Sequence, residues 1–277
     1  MQHASFLYGN MPLHYVVAGE GPAVLFLHGF GEDHSIWGNI VRQCSGFCRC
    51  IAPDLPGTGE SIFNPDLNSI EDYAEAIRAL LDRLAITECV MIGHSMGGYI
   101  TLAFAEKYGD MLKGMGLIHS TAFPDSAEKR EARTKSIDFI KKNGARLFLK
   151  QTTPNLFTET FRNTYPDQVQ AVIETTSGIA DATLIQYYES MMKRPDRTEV
   201  LKKAKYPVFF LVGQHDLAVP YADSMKQVYL PEISYVHILK SSAHMGMIEQ
   251  KDETQASLEK FLRDIAVHTE ERPKDAE

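Results

Sequence analysis

The 277-residue sequence contains only four cysteines, one tryptophan and no long hydrophobic run. No apolar stretch approaches the roughly 20 residues that a helix needs to cross a bilayer. The N-terminal segment MQHASFLYGN also lacks a basic region followed by an apolar one, so we expect no signal peptide. These absences predict a cytoplasmic protein that has no membrane partner.

An excess of positive charge is also missing. The chain has 28 Lys and Arg against 36 Asp and Glu, which gives a net charge of −8 and a pI of about 5.7. A protein with this balance has no general basic field, so we expect no nucleic-acid partner. Hydrophobic residues make up 44% of the chain and charged residues 23%, which is typical of a globular protein. The length suits one large domain, or a core domain that carries an insertion.

Three of the four cysteines, Cys44, Cys48 and Cys50, lie close together in the segment CSGFCRC. A structural metal site usually has paired C-x-x-C segments or histidine partners, and neither accompanies this segment. Cys50 also begins an apolar run that is typical of a strand. We therefore interpret these residues, together with Cys89, as reduced thiols of a cytosolic protein.

Short apolar runs alternate with amphipathic segments along much of the chain. Residues 70–84 carry a helical apolar stripe, for which Asn68 or Ser69 is a suitable N-cap, and residues 254–265 carry a similar stripe. Several of the β-like runs are continuously apolar, which indicates strands buried on both faces of a parallel sheet. This alternation predicts a doubly wound α/β sheet. The β-like runs are residues 13–17, 23–27, 50–52, 90–92, 115–118, 208–212 and 235–239.

Residues 121–205 interrupt this alternation. The segment is mostly helical in pattern, has no convincing strand and is too long for a loop. We predict that it forms a helical cap, while residues 1–120 and 206–277 form the core. Aromatic residues are not enriched in this segment, which favours a moderate apolar pocket over an extended lipid-binding surface. The polar end HTEERPKDAE is expected to form a frayed tail.

The segment Gly93-His94-Ser95-Met96-Gly97 stands between an apolar run and a helix-like segment. In a G-x-S-x-G motif with this context, a sharp turn lifts the serine hydroxyl above the edge of the sheet. The two glycines leave room for the neighbouring strand and helix. The amides at the start of the helix favour a negative charge that develops at the site. The motif therefore predicts that Ser95 is a nucleophile.

This motif in this context resembles that of the α/β-hydrolase family, and the resemblance covers about residues 10–265. It implies a doubly wound, mostly parallel α/β-hydrolase sheet with a helical cap inserted after the sixth strand. The family's order of nucleophile, acid and histidine implies that the partners of Ser95 lie downstream. His244 stands in the family's histidine position, and Asp216 matches its acid loop, G-x-x-D-x-x-x-P. Asp125, which follows the preceding strand, is the alternative acid.

The resemblance also implies an oxyanion hole made by the backbone N–H groups of Met96 and Phe30, the latter in an HGFG turn. The segment DLPGTGES resembles a structural loop of the family, although Thr58 stands where many relatives carry histidine. We expect this loop to brace the site. Ser95, Asp216 and His244 form the predicted catalytic triad. Six further residues are expected to line the substrate pocket: His28, Gly29, His94, His119, Phe123 and Met245.

The segment GHSMGG is most similar to those of esterases, lactonases and lipase-like enzymes. The sharp turn that carries Ser95 is called the serine elbow below. Serine at this position argues against haloalkane dehalogenases and soluble epoxide hydrolases, which use aspartate there. The expected function is a serine hydrolase that cleaves a small or medium carboxylic ester through an acyl-enzyme, without a metal or organic cofactor. An enol-lactonase, thioesterase or C–C bond hydrolase with the same triad is one alternative. A small-molecule receptor or signalling protein of the same fold is another, because fold alone does not determine function.

Overall fold

A single mixed sheet forms the centre of the computed structural model, which describes residues 1–270. Its strands lie in the order β1-β2-β4-β3-β5-β6-β7-β8. Strands β3 to β8 run parallel to one another, and β2 is antiparallel to both of its neighbours. The mostly parallel sheet confirms the prediction. The strands are β1 (Gln2–Tyr8), β2 (Met11–Ala18), β3 (Ala23–Leu27), β4 (Arg49–Pro53), β5 (Cys89–His94), β6 (Leu112–Ile118), β7 (Val208–Gly213) and β8 (Ser234–Leu239).

Helices connect the parallel strands, as the amphipathic segments predict. Ser69 is the N-cap of α2, because its side chain accepts a hydrogen bond from the backbone N–H of Asp72 at 3.2 Å. The last helix ends at Glu270, and the rest of the predicted polar tail lies outside the described residues. The helices are α1 (Gly38–Cys44), α2 (Ile70–Arg83), α3 (Met96–Tyr108), α4 (Ala127–Asn143), α5 (Ala145–Thr152), α6 (Glu159–Thr164), α7 (Pro166–Thr175), α8 (Asp181–Lys193), α9 (Thr198–Lys202), α10 (Tyr221–Met225), α11 (Gly246–Glu249) and α12 (Lys251–Glu270).

Strand β1 is absent from the sequence prediction. It lies at the edge of the sheet and pairs only with β2, so its side chains alternate between exposed and half-buried positions. A strand of this kind has no continuous apolar run by which the sequence could identify it. With β1 counted, six strands precede the long helical region, which agrees with the predicted position of the cap.

Apolar side chains cover both faces of the sheet, because alternate residues of a strand point to opposite faces. On one face, Leu25 and Met91 belong to the core cluster that includes α2 and α3. On the other face, Val24 and Ile92 belong to the cluster that includes α1 and α12. This two-sided burial explains why the parallel strands are continuously apolar in the sequence. None of the helices within the described residues is both long enough and apolar enough to cross a membrane.

All four cysteines are buried free thiols in this core. Burial raises the pKa of Cys44 and Cys89 to about 12 and the pKa of Cys48 to about 11. Thiols with such pKa values stay protonated at neutral pH and are poor nucleophiles and poor metal ligands. The environment of these cysteines therefore agrees with core packing rather than with a site of cysteine chemistry.

The chain between β6 and β7 consists of helices α4 to α9 and their connections, without a strand among the described residues. Part of this region packs against the carboxyl ends of the strands. Phe30, which follows β3, stacks on Tyr188 of α8 with 4.2 Å between ring centroids. The backbone N–H of His244, which follows β8, donates to the carbonyl of Leu156 at 2.9 Å. Helical cap and sheet thus meet above the strand ends, while the predicted domain limits at residues 121 and 205 stay a prediction.

Candidate active site

Ser95 stands at a strained turn between β5 and α3. Its backbone has φ 49° and ψ −115°, a combination that non-glycine residues rarely adopt. Strain of this kind costs about 1–3 kcal/mol and persists only where the surroundings fix it. The backbone N–H of Ser95 donates to the carbonyl of Ile118 at 2.9 Å, and Ser120 Oγ donates to the carbonyl of Ser95 at 2.8 Å. Strand β6 and the residues after it therefore hold the turn in place.

The glycines of the G-x-S-x-G motif allow two close backbone approaches at this turn. A Cβ atom on Gly93 would collide with the backbone of Gly97, and a Cβ on Gly97 would collide with the carbonyl of Leu27 in β3. Any larger residue at either position would push α3 away from the sheet. The motif is thus explained by the sharpness of the turn that presents Ser95.

His244 and Asp216 form a buried hydrogen-bonded pair at the ends of neighbouring strands. His244 Nδ1 lies 2.8 Å from Asp216 Oδ2, and the backbone N–H groups of Ala218 and Val219 each donate to Asp216 Oδ1 at 2.8 Å. Because Nδ1 donates to the carboxylate, the lone pair of Nε2 is left to accept a proton. The geometry is that of a histidine prepared to act as a general base.

Burial by itself would raise the pKa of Asp216. The charge of His244, its hydrogen bond to the carboxylate and the nearby His119 ring outweigh that effect and hold the pKa of this carboxyl well below its usual range. Asp216 therefore carries a negative charge at neutral pH. A charged carboxylate in this place both fixes the tautomer of His244 and stabilises the imidazolium that forms when His244 accepts a proton.

His119 lies on the other side of the same carboxylate. Its Nε2 accepts a hydrogen bond from the backbone N–H of Gly246 at 3.2 Å, so Nδ1 carries the proton and faces Asp216 Oδ2 at 3.3 Å. Burial lowers the pKa of His119, which keeps the ring neutral. Both ring nitrogens thus face protein atoms, and the predicted pocket-lining role of His119 stays a prediction. The sequence had no signal for this contact.

The alternative acid, Asp125, has different partners. Its carboxylate lies 2.7 Å from Arg133 Nε and 2.8 Å from Arg194 Nη1, and all three side chains are largely buried. Burial alone would raise the pKa of Asp125, but the two guanidinium groups lower it. Asp125 thus joins two cap arginines to the loop after β6, whereas Asp216 is the carboxylate beside His244.

Glu32 and His94 form a buried ion pair that no sequence pattern indicated. His94 Nδ1 lies 2.9 Å from Glu32 Oε2, and His94 Nε2 lies 3.0 Å from the carbonyl of His244. Glu32 Oε2 also accepts the backbone N–H of Gly29 at 2.6 Å. Because both nitrogens of His94 face acceptors, the ring is best satisfied as an imidazolium. The pair connects the HGFG turn, the serine elbow and the loop of His244.

The pKa shifts of the two groups agree with an ion pair. Burial would lower the pKa of His94, but the charge and hydrogen bond of Glu32 raise it. Burial would likewise raise the pKa of Glu32, but His94 and the N–H of Gly29 lower it. In the sequence, Glu32 resembles any solvated loop carboxylate, and only its 7% exposed surface reveals a structural role.

We expect Glu32→Gln to lower the free energy of unfolding by about 3 kcal/mol, because removing one member of a buried ion pair leaves the other charge unpaired. Because the pKa of His94 is raised in the folded protein, its protonation stabilises the fold. This contribution is complete below about pH 6.5, the ordinary histidine pKa, and is lost as pH rises through the raised pKa of the folded state. The gap between wild type and variant should therefore be widest near pH 5–6 and narrower at alkaline pH. Urea unfolding at a series of pH values measures it.

The matched control is Glu253→Gln. Glu253 Oε1 lies 2.9 Å from His237 Nε2, the same separation as in the Glu32–His94 pair, but the side chains of Glu253 and His237 are both substantially exposed. Exposed ion pairs contribute about 0–1 kcal/mol. Equal losses in the two variants, or a gap for Glu32→Gln that does not depend on pH, would contradict the buried ion pair.

The two predicted oxyanion donors lie at the start of α3 and in the HGFG turn, which meet at Ser95. Met96 is the first residue of α3, where a backbone N–H has no partner within the helix. A Cβ on Gly29, next to Phe30, would lie only 3.1 Å from the Cβ of Ser95. The HGFG turn and the serine elbow are therefore in direct contact, and the predicted roles of the Met96 and Phe30 N–H groups stay a prediction compatible with that contact.

Cap aromatics cover the HGFG turn from above. Phe30 stacks on Tyr188, and Phe148 of α5 makes an edge contact with Tyr188 at 5.9 Å between centroids. Glu249 joins cap and core nearby, because its carboxylate accepts the N–H groups of Thr158 at 2.7 Å and Ala243 at 2.8 Å. The cap is thus anchored to the loop that carries His244.

The remaining predicted pocket residues have varied positions. Both ring nitrogens of His28 are occupied: Nε2 accepts the N–H of Leu55 at 2.9 Å, and Nδ1 lies 2.8 Å from the carbonyl of Gly29. His28 therefore braces the loop of Thr58, and its predicted pocket-lining role stays a prediction. Met245 is fully buried in the core cluster that includes α12, and its predicted role also stays a prediction.

Gly29 and Phe123 are compatible with the predicted pocket. Gly29 lies beside Ser95, and Phe123 is half-buried in the loop that follows β6. His119, Asp216 and His244 also lie close enough together to hold a metal ion. Both histidines direct Nδ1 at the carboxylate, however, an arrangement that suits contacts with Asp216 more than coordination of an ion.

Comparison with known proteins agrees with this architecture. A thermophilic esterase from Thermogutta terrifontis, solved with malate bound, matches with a TM-score of 0.89 and 26% identity over 96% of this chain and 100% of that structure. The 2-hydroxy-6-oxo-6-phenylhexa-2,4-dienoate hydrolase of Comamonas testosteroni is 25% identical over 91% of each chain. A Mycobacterium tuberculosis protein is 33% identical over 102 residues, so the match spans 30% of that relative's length.

A family model described as the alpha/beta hydrolase fold matches residues 22–251. The matched segment includes the serine elbow, the acid loop and the loop of His244, and it spans most of the sheet. The sheet order and the strained turn at Ser95 are consistent with that match. The chain therefore belongs to the α/β-hydrolase family.

Proposed function

We propose that this protein is a serine hydrolase that cleaves a small or medium carboxylic ester through an acyl-enzyme intermediate. The observations that carry the proposal are the 2.8 Å hydrogen bond between His244 Nδ1 and Asp216 Oδ2 and a serine held at φ 49°, whose neighbour His94 contacts the carbonyl of His244 at 3.0 Å. A serine hydroxyl becomes a competent nucleophile when a correctly oriented histidine accepts its proton. In this proposal the elbow exposes the hydroxyl of Ser95, and the pair of His244 and Asp216 supplies the base.

In the proposed reaction, Ser95 Oγ attacks the ester carbonyl while His244 Nε2 takes its proton. The carbonyl oxygen becomes negative and accepts hydrogen bonds from the N–H groups of Met96 and Phe30. The C–O bond to the alcohol then breaks, and His244 returns the proton to the leaving alcohol. Water, deprotonated by His244, attacks the acyl-enzyme in the same way and releases the acid and free Ser95.

The surroundings of Ser95 support an apolar substrate of limited size. Phe30 of the HGFG turn forms an aromatic cluster with Tyr188 and Phe148 of the cap, which suits an alkyl or aryl group of the ester. The cap that contributes Tyr188 and Phe148 is anchored to the core by Glu249 and by the bond between His244 and Leu156. The similarity to an esterase at 26% identity supports the same substrate class.

A hydrolase of carbon–carbon bonds is the second candidate. The similarity to the Comamonas dienoate hydrolase over 91% of each chain favours it, because the same nucleophile and base can attack a ketone carbonyl. A panel of p-nitrophenyl esters, enol-lactones, thioesters and vinylogous 1,5-diketones separates the candidates by kcat/KM. Turnover of the diketone alone would favour the second candidate over the ester hydrolase.

The first test is labelling with a fluorophosphonate, read by intact mass. This reagent reacts with activated serines and requires no knowledge of the substrate. We expect one adduct on the wild type and none on Ser95→Ala or His244→Ala. Ser177→Ala should label like wild type, because Ser177 is an exposed residue between α7 and α8 whose hydroxyl donates to the carbonyl of Glu174 at 2.7 Å. A wild type that gains no adduct would contradict the proposal and favour a receptor that uses the same fold.

A further inference from the structure

A second group of histidines and carboxylates lies at the β1 edge of the sheet. His3 in β1 faces Val16 and Ser5 faces His14 in the antiparallel pair, so His3 and His14 are diagonal neighbours on one face. His3 Nδ1 lies 3.1 Å from His14 Nε2. Glu60, in the loop after β4, places its Oε1 at 3.7 Å from His3 Nδ1 and 3.8 Å from His14 Nε2.

These three atoms form a triangle with the dimensions of a metal coordination face. Zinc binds histidine nitrogen and carboxylate oxygen at about 2.0–2.2 Å, so two ligands in a tetrahedral arrangement lie about 3.3–3.5 Å apart. The observed edges of 3.1, 3.7 and 3.8 Å bracket that value. An ion at the centre would need shifts of a few tenths of an ångström from two partly exposed side chains.

The most buried member of the group, His14, is already oriented for coordination. Its Nδ1 lies 2.7 Å from Asp54 Oδ2, which makes Nδ1 the donor and leaves the Nε2 lone pair directed at His3 and Glu60. Asp54 is buried, and its Oδ1 accepts both the backbone N–H and Nδ1–H of His34 at 2.8 and 2.7 Å. A carboxylate that fixes the tautomer of a ligating histidine is the usual outer-shell partner of a zinc site.

We infer that His3 Nδ1, His14 Nε2 and Glu60 Oε1 form a binding site for a divalent transition-metal ion, with zinc the best match. Two imidazoles and one carboxylate suit zinc, whereas calcium and magnesium prefer oxygen ligands alone. The side chains of His3 and Glu60 are 55% and 66% exposed, so an ion reaches the site from solvent and water fills the fourth position. None of these ligands belongs to the elbow or to the pair of His244 and Asp216.

The inferred ion would act as a structural clamp. It would join the edge strand β1 both to β2 and to the loop after β4. In the sheet, β1 pairs through its backbone with β2 alone. The backbone N–H of Glu60 donates to Asp54 Oδ2 at 2.9 Å, so one ligand is attached to the carboxylate that orients another. A ligand that binds only the folded chain raises its stability in proportion to the logarithm of the free ligand concentration.

The test is calorimetric titration of zinc chloride into chain without an affinity tag, after treatment with EDTA and dialysis. We expect one zinc per chain in the wild type and a rise in melting temperature with added zinc. His3→Gln and Glu60→Gln should weaken binding by more than about 10-fold, the loss that even an outer-shell change causes. Both residues are partly exposed, so neither substitution should prevent folding.

Two further variants distinguish this site from zinc binding elsewhere on the chain. His237→Gln removes a surface histidine that lies 2.9 Å from Glu253 without forming a three-ligand group, and we expect unchanged binding. His244→Ala removes a ligand from the group of His119, Asp216 and His244, and again binding should persist. Absence of saturable binding by the wild type, wild-type affinity in His3→Gln, or loss of binding in His244→Ala would overturn the inference. If the wild type shows no saturable binding, the contact between His3 and His14 is only a hydrogen bond between two imidazoles.

Discussion

Replacing Ser95 with alanine should lower kcat by about 10⁴- to 10⁶-fold, the effect of removing the nucleophile of a serine triad. Alanine lacks the attacking oxygen but, like serine, carries a Cβ at φ 49°. The strain of the elbow is therefore retained, and we expect little change in melting temperature. Steady-state kinetics on the best ester of the substrate panel, with circular dichroism to check the fold, measures both effects.

Ser120→Ala is the matched control for this prediction. Ser120 donates a hydrogen bond of 2.8 Å to the carbonyl of Ser95, so it supports the elbow without taking part in the reaction. A neutral hydrogen bond contributes about 1 kcal/mol, which corresponds to less than about a tenfold change in rate. Full turnover by Ser95→Ala, or equal losses in the two variants, would refute the role of Ser95 as nucleophile.

Asp216→Asn should lower kcat by about 10⁴-fold, as the loss of the orienting charge does in serine proteases. The asparagine oxygen can still accept the N–H groups of Ala218 and Val219, which directs its amide nitrogen at His244 Nδ1. Two donors cannot face each other, so His244 is driven to the tautomer whose Nε2 carries a proton. That nitrogen can then no longer deprotonate Ser95.

The contact with His119 adds a second consequence of Asp216→Asn. His119 Nδ1 faces the same carboxylate oxygen at 3.3 Å, and it would also meet an amide donor in the variant. We therefore expect a lower melting temperature together with the loss of kcat. Thermal unfolding followed by circular dichroism, beside steady-state kinetics, records the two effects separately.

Asp125→Asn is the appropriate comparison for Asp216→Asn. Asp125 is equally buried and charged, but its partners are Arg133 and Arg194. Its replacement should destabilise the junction of cap and core while leaving kcat within about a factor of ten, because it does not touch His244. A loss of kcat that is larger in Asp125→Asn than in Asp216→Asn would assign the orienting acid to Asp125 instead.

The sequence was most informative where one short segment encodes one backbone conformation. Five consecutive residues, GHSMG, specify a strand, a sharp turn and a helix, because only glycine permits the approach of Gly93 to Gly97. The cap of α2 could be narrowed to Asn68 or Ser69, since a cap bond such as that of Ser69 to Asp72 spans only three residues. Continuous apolar runs likewise identified β3, β5 and β7, which are buried on both faces.

The candidate site could be predicted only in part. Asp216 and His244 were identified from motifs and from the family's order, and their hydrogen bond then required the neighbouring positions of β7 and β8. The roles of His28, His94 and His119 could not be read in the same way. Each of these rings is directed by a partner on another element, and a single sequence does not reveal which nitrogen faces which atom.

By itself, the sequence determined the local conformations: the elbow, the caps, the buried parallel strands and the helical nature of the segment between β6 and β7. Only the tertiary structure decided the pairings between distant segments. Strand order brings Glu32 to His94, 62 residues away, and pairing of β1 with β2 brings His3 to His14 and Glu60. Local conformation follows from steric rules within a few residues, whereas these contacts follow from burial and charge pairing that exist only once the sheet has formed.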